Sequence, residues 1–280
     1  MNILFLGDVM GRSGRDALAK ILPSLRIDWK LDFVVVNAEN ATSGVGLSIE
    51  HAKQILNHGV DCITLGDHSF DQREMLTFIQ QEPRILRPIN FANTAPGKGF
   101  GVFLTQSGEK VLVTQVLGQV FMKKNFSDPF AGLDTILNNA QIGKTCAALI
   151  VDIHAEATSE KMAIGHWCDG RATLVVGTHT HVPTSDLQIL DKGTAYQSDA
   201  GMCGDYNSVI GMDKVEPMQR FVTGMSKGRF VPAKGVATLC GVFAEVAATG
   251  LVRRAQSVRI GGVLEEKSSY LEVQKKISTK

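Results

Sequence analysis

The chain of 280 residues predicts an α/β fold built on a parallel sheet. Three observations carry that prediction. Short apolar runs alternate with amphipathic segments, β-branched residues concentrate in the runs, and polar residues gather where the runs end. Residues 3–6, 33–36 and 62–65 are brief and apolar, as strands buried on both faces are. Between them, residues 15–25 and 48–57 have helical periodicity. Ser48 can cap the second helix and His58-Gly59 can stop it. A third helical pattern, 72–80, ends before Pro83. Strands and helices in strict alternation argue for a parallel sheet with helices against it.

From about residue 88 the character changes. Residues 100–104 and 111–116, joined across Ser107-Gly108, predict an antiparallel hairpin. A helix is expected over 132–139, a strand over 147–153 running into His154, a helix over 159–167 and a strand over 173–176. Residues 187–190, 193–198 and two runs within 237–260 read as antiparallel strands. No repeat or Pro/Ser-rich linker marks a boundary. One domain over 1–280 is therefore expected, with about 261–280 as a charged tail.

Lys and Arg number 29 against 28 Asp and Glu, a balance with no overall field to hold duplex nucleic acid. With 44% hydrophobic and 20% charged residues, the chain is neither a disordered tail nor a membrane bundle. The five cysteines are widely spaced without a C-x-x-C pair, which argues against a structural zinc site or a disulfide framework. The N-terminal residues lack a basic signal region, so a cytoplasmic location is expected.

The chemistry gathers at strand ends. Asp8 follows the first strand, Glu39-Asn40 the second and Asp67-His68 the third; His154 and the pair His179/His181 follow two later ones. Carboxyl ends of strands are where open α/β sheets assemble ligand sites. Any one of these residues alone is more simply a helix cap, a turn former or a surface side chain. Together, without a ligand, they would repel and carry desolvation costs, which bound divalent cations would remove. Oxygen and nitrogen donors without thiolate suit Fe, Mn or Zn. Two ions sharing Glu39 account for the donor count better than one.

Gly7-Asp8 with Gly11, Asn37-Ala38-Glu39-Asn40, Gly66-Asp67-His68, Asp152-Ile153-His154-Ala155-Glu156 and Gly177-Thr178-His179-Thr180-His181 resemble the successive blocks of the calcineurin-like metallophosphoesterases. The spelling is closest to the bacterial YmdB-like branch, described as cyclic-nucleotide phosphodiesterases. The resemblance covers roughly residues 1–260. It implies two packed mixed β-sheets flanked by helices, an α/β/β/α sandwich. One metal would be held by Asp8, Glu39, Asn40 and His181, and the second by Glu39, Asp67, His154 and His179. His68 takes the place of the acid that protonates the leaving oxygen, and Asp71, three residues on, could orient it.

The implied reaction is hydrolysis of a cyclic nucleotide, of 2′,3′-cyclic or cAMP type, by a metal-activated hydroxide. The expected partner is a small phosphodiester; no membrane is expected, and a homo-oligomer is allowed. One position departs from the family's Gly-Asn-His block: Asp67 stands where an amide is usual. Its carboxylate should hold a hard ion more tightly and weaken attraction for a phosphodiester anion. The alternative is therefore a regulatory or RNA-binding protein whose metal site turns over slowly.

Overall fold

A computed structural model describes residues 1–122 and 126–267. The chain enters through β1 (Asn2–Leu6) and β2 (Asp8–Val9), then α1 (Gly11–Asp28), β3 (Phe33–Asn37), α2 (Ile49–Asn57), β4 (Cys62–Thr64), α3 (Met75–Phe78) and β5 (Ile85–Leu86). It continues through β6 (Phe100–Leu104), β7 (Lys110–Leu117), α4 (Pro129–Leu137), β8 (Ala148–His154), α5 (Thr158–Cys168) and β9 (Leu174–Thr178). The last part holds β10 (Gln188–Ile189), β11 (Ala195–Gln197), β12 (Met202–Cys203), α6 (Val215–Thr223), β13 (Leu239–Val246) and β14 (Val252–Ile260).

Two mixed sheets result, in the orders β14-β13-β1-β3-β4-β5 and β10-β11-β9-β8-β7-β6. The first is parallel from β1 to β5 and antiparallel where β13 pairs with β1 and β14. The second is parallel from β11 through β7, with antiparallel strands at both edges. Alternation along the strands explains the stacking, because successive side chains leave opposite faces. Ile3 and Phe5 of β1 and Phe33 and Val35 of β3 meet Val111, Val113, Ile150 and Val176 between the sheets. On the other face of the first sheet, Leu4, Leu6, Val34 and Val36 pack with Leu18 and Leu22 of α1 and Ile55 of α2. On the far face of the second, Leu149 and Val151 meet Leu133 of α4 and Ile164 of α5. The four layers are helix, sheet, sheet, helix, as expected.

Element boundaries differ from the expectations in instructive places. The first helix extends beyond 15–25 at both ends and passes through Pro23. An interior proline costs about 3 kcal/mol, yet Leu22 and Leu25 on either side are buried in the core. The helix expected over 72–80 shrinks to α3, in which Met75 alone is buried. Ser48 caps α2 as expected, accepting the His51 N–H at 3.2 Å. Helix α6 has no counterpart among the expected elements; of its residues only Pro217 is buried, and Val215, Phe221 and Val222 are exposed. Of the expected charged tail, residues 268–280 lie outside the described residues. All five cysteines are buried and free. Among the described residues no helix is long and apolar enough to cross a membrane.

The shared layer between the sheets leads us to propose that they unfold together. Trp29 is buried against Phe243 beside the first sheet, and Trp167 packs edge-on to Phe130 beside the second. Single-tryptophan variants Trp29→Phe and Trp167→Phe should report the same thermal midpoint. Phe5→Ala should lower stability by about 3–5 kcal/mol and move both midpoints equally. Two separate transitions would mean two domains.

Candidate metal centre

The layer between the sheets turns polar at the carboxyl ends of its parallel strands. Asn37, Thr64, Gln115, Asp152 and Thr178 replace apolar side chains there, all of them buried. Their centre is the Asp152 carboxylate. Its Oδ2 accepts from Thr64 Oγ1 (2.6 Å), Gln115 Nε2 (2.7 Å) and Asn37 Nδ2 (3.2 Å), and its Oδ1 from Thr178 Oγ1 (2.7 Å). Burial pushes this carboxyl upward, and the neighbouring His154 and the donors from both sheets oppose that push.

Directly beyond this network lie the strand-end residues. Asp8 opens β2, Glu39 and Asn40 follow β3, Asp67 and His68 follow β4, His154 ends β8, and His179 and His181 follow β9. Ligating atoms of Glu39, Asp67, His154 and His179 all lie within 4.8 Å of one another. His154 Nε2 is 3.1 Å from Glu39 Oε1, 3.3 Å from Asp67 Oδ1 and 3.1 Å from His179 Nδ1. Beside this group, His181 Nε2 is 3.7 Å from Asp8 Oδ1 and 3.1 Å from the Asn40 amide, which also lies 3.1 Å from Glu39 Oε1.

Proton accounting orients two of the rings. A carboxylate only accepts, so the Thr178 hydroxyl donates to Asp152 and must accept from His154 Nδ1–H, 2.9 Å away. With Nδ1 so engaged, Nε2 is the atom turned toward Glu39, Asp67 and His179, and it offers a lone pair there only when its proton is replaced by an ion. His181 Nδ1 likewise donates to the Ile210 carbonyl at 2.8 Å, leaving Nε2 bare beside Asp8 and Asn40. Such outer hydrogen bonds fix the tautomer of metal-binding histidines. His179 turns Nδ1 inward, with Nε2 3.5 Å from Glu156. Burial and the neighbouring His154 hold this imidazole down to about 4, so it is neutral at physiological pH.

The His-x-His pair does not owe its geometry to a strand. β9 ends at Thr178, and His179 and His181 have φ of +94° and +66°. Left-handed backbone costs a non-glycine residue about 1–3 kcal/mol and persists only where its surroundings impose it. The imposing group is the buried pair Lys161–Asp199. Lys161 Nζ donates to Asp199 and to the Thr178 carbonyl, both at 2.8 Å. Asp199 Oδ2 in turn accepts from Thr180 N–H (3.1 Å) and its hydroxyl (2.7 Å), between the two histidines.

Three observations test whether a metal fits. Asp8 Oδ1 is buried and has no hydrogen-bond partner, and burial lifts this carboxyl to about 6 despite the pull of His181 and His154. A buried anion left so exposed to desolvation is a group awaiting a cation. Burial also opposes charge on His154, but Glu39 and Asp67 outweigh it and hold the ring well above its ordinary range, so a proton occupies the space an ion would take. Finally, a side chain at Gly66 would collide with Glu39 Oε2 and lie 2.6 Å from His154 Nε2, so glycine keeps that space open. The donor set fits a hard or borderline divalent ion.

His68 stands at the edge of the cluster. Its backbone N–H donates to Glu39 Oε2 at 3.0 Å, and its Nδ1 lies 2.6 Å from Asp71 Oδ2. Burial lowers the ring's proton affinity, but Glu39, Asp67 and Asp71 outweigh it and raise the pKa. Sequence reasoning passes over Asp152, Thr178, Lys161 and Asp199 as working residues. For Asp152 a signal is present: it is the one charged residue inside the apolar strand ALIVDIH.

Comparison with known proteins agrees with this architecture. The YmdB-like protein family matches over residues 4–258. The chain is 42% identical over 246 residues to the 2′,3′-cyclic-nucleotide 2′-phosphodiesterase of Bacillus subtilis (strain 168), spanning 88% of this chain and 91% of that protein. A solved structure from Thermus thermophilus matches with a TM-score of 0.86 at 38% identity, over 94% of this chain and all (100%) of its own. A phosphatase from Mycoplasma pneumoniae matches at 0.85 and 36% identity, over 99% and 98%. The chain belongs to the YmdB-like protein family.

Proposed function

We propose that this protein is a metal-dependent phosphodiesterase that opens cyclic nucleotides, with the 2′,3′-cyclic type favoured by its Bacillus relative. The observation that carries the reading is the buried, unpartnered Asp8 oxygen beside the four-donor cluster. Asp8, Glu39, Asn40 and His181 would hold one divalent ion, and Glu39, Asp67, His154 and His179 a second; Fe, Mn and Zn all suit these donors. When bound, the ions supply positive charge to the phosphoryl oxygens and lower the pKa of a water nucleophile.

The chain's own residues do the rest. The attacking water releases one proton to solvent as its oxygen bonds to phosphorus, the bond to the leaving ribose oxygen breaks, and that oxygen needs a proton. His68 can supply it: Asp71 engages Nδ1, leaving Nε2–H as the donor, and the surrounding carboxylates raise the pKa and so favour the protonated ring. His68→Ala should cut kcat by about 10²–10⁴-fold while metal content stays near that of the parent. Undiminished turnover would remove the assignment. In Asp71→Asn the ring loses one of the carboxylates that raise its pKa. It therefore gives up its proton at lower pH, and the alkaline limb of kcat should move down in pH. An unmoved limb would mean that Asp71 does not act through His68.

Asp67 is the residue that favours a slow, binding-type role. Although burial raises its carboxyl, His154 and the nearby rings outweigh this and hold it below the ordinary range, so it is ionised. Asp67→Asn should lower KM for a phosphodiester anion about three- to tenfold and weaken metal retention on dialysis. A KM that stays constant would show that this charge does not oppose the substrate.

A further inference from the structure

Outside the metal centre, a groove of about 960 Å³ runs between α1 and residues 229–237. Arg12, Arg15 and Lys20 line one wall and Arg229 and Lys234 the other, with Asp16 the only acid among the lining residues. Five cations against one acid leave 24 against 27 for the rest of the chain, so a nearly neutral protein concentrates its positive charge here. Arg15 is half-buried, and its hydrogen bond goes to the Ala41 carbonyl, leaving further guanidinium donors for a ligand. Between the cations the wall is apolar. Phe230, stacked on one face by Arg220 at 3.9 Å, and Val236 are 43% and 74% exposed.

Clustered cations interleaved with exposed aromatic and aliphatic side chains are the surface that single-stranded nucleic acid recognises, phosphates to the charges and bases to the apolar faces. The groove is also near the metal centre. Arg12 is four residues from Asp8, and Ser43, on the groove's rim, is three from Asn40. At 3.8 Å per residue their Cα atoms lie within about 15 Å and 11 Å of those residues, the reach of about four stacked nucleotides. Gly11 N–H ties the two places together by donating to the Asn40 carbonyl at 3.0 Å.

We propose that this groove binds the 5′-ward nucleotides of a single-stranded oligoribonucleotide whose terminal 2′,3′-cyclic phosphate enters the metal centre. This rests on the phosphodiesterase reading and names its substrate class. A 2′,3′-cyclic phosphate esterifies both the 2′ and the 3′ oxygen of its ribose, so any further chain must leave through the 5′ oxygen. The reaction that supplies such ends is RNA cleavage by attack of the internal 2′-hydroxyl.

The test uses metal-loaded protein, a ten-nucleotide RNA ending in a 2′,3′-cyclic phosphate, and the corresponding cyclic mononucleotide. KM for the oligonucleotide should be at least about tenfold lower. The triple variant Lys20→Glu, Arg229→Glu, Lys234→Glu should erase that advantage and leave kcat/KM on the mononucleotide within about twofold. The slope of log KM against log salt should fall by about two, as expected for three lost single-strand phosphate contacts. Equal KM values for the two substrates, or an oligonucleotide KM that the triple variant does not move, would overturn the proposal. So would a variant that changes only the sedimentation of the protein, because the groove would then seat a second copy. If the mononucleotide is not hydrolysed but fluorescein-labelled RNA still binds in EDTA through these three residues, the groove stands and the phosphodiesterase reading fails.

Discussion

The Asp152 carboxylate, sealed between two β-sheets, is the interaction on which the working end of this fold depends. Its desolvation is opposed by the neighbouring His154 and by four donors that converge on it, Asn37 and Thr64 from one sheet and Gln115 and Thr178 from the other. The same donors do second tasks. Asn37 Oδ1 accepts the Glu39 N–H at 3.1 Å, and the Thr178 hydroxyl receives His154 Nδ1–H. One buried charge thereby places a carboxylate from the first sheet and an imidazole from the second in mutual register. The apolar layer further down needs no such device, because it fixes spacing without fixing a proton.

A second buried pair handles what strands cannot. His179 and His181 both need left-handed backbone to turn their rings back over the sheet ends, and Lys161–Asp199 clamps the peptide between them. A fully buried ion pair is a poor source of net stability, so its presence is better explained by the conformation it imposes. Asp8, on its own two-residue strand, is held by pairing with Met202 and Cys203 of β12. The glycine at position 7 lets that backbone pass against Gly201.

Much of this is legible in the sequence, and the reasons are specific. The strand-end series from Asp8 to His181 can be read because each apolar run announces its own end, and a ligand type is conspicuous there. The four layers follow from two-residue alternation in β1, β3 and β8. What stays hidden depends on distance between chain segments. Nothing local says that Lys161, on a helix, reaches Asp199, or that the Ile210 carbonyl orients His181. The two-residue strands β5 and β12 are too short to have a period, and α6 lacks a buried face. The spacing of the His-x-His pair suggests strand alternation, whereas the pair sits in a strained turn, a difference only φ angles reveal.

The most direct test of this account is calorimetric titration of metal-free protein with Zn²⁺ or Mn²⁺, comparing the parent with Thr178→Ser and Thr178→Val. Serine keeps the hydroxyl that links Asp152 to His154, whereas valine keeps the shape and removes it. The account predicts parental affinity for serine and a loss of about 10–100-fold for valine, with both variants folded. Equal affinities in all three would contradict the claim that the buried carboxylate sets the donor face of His154.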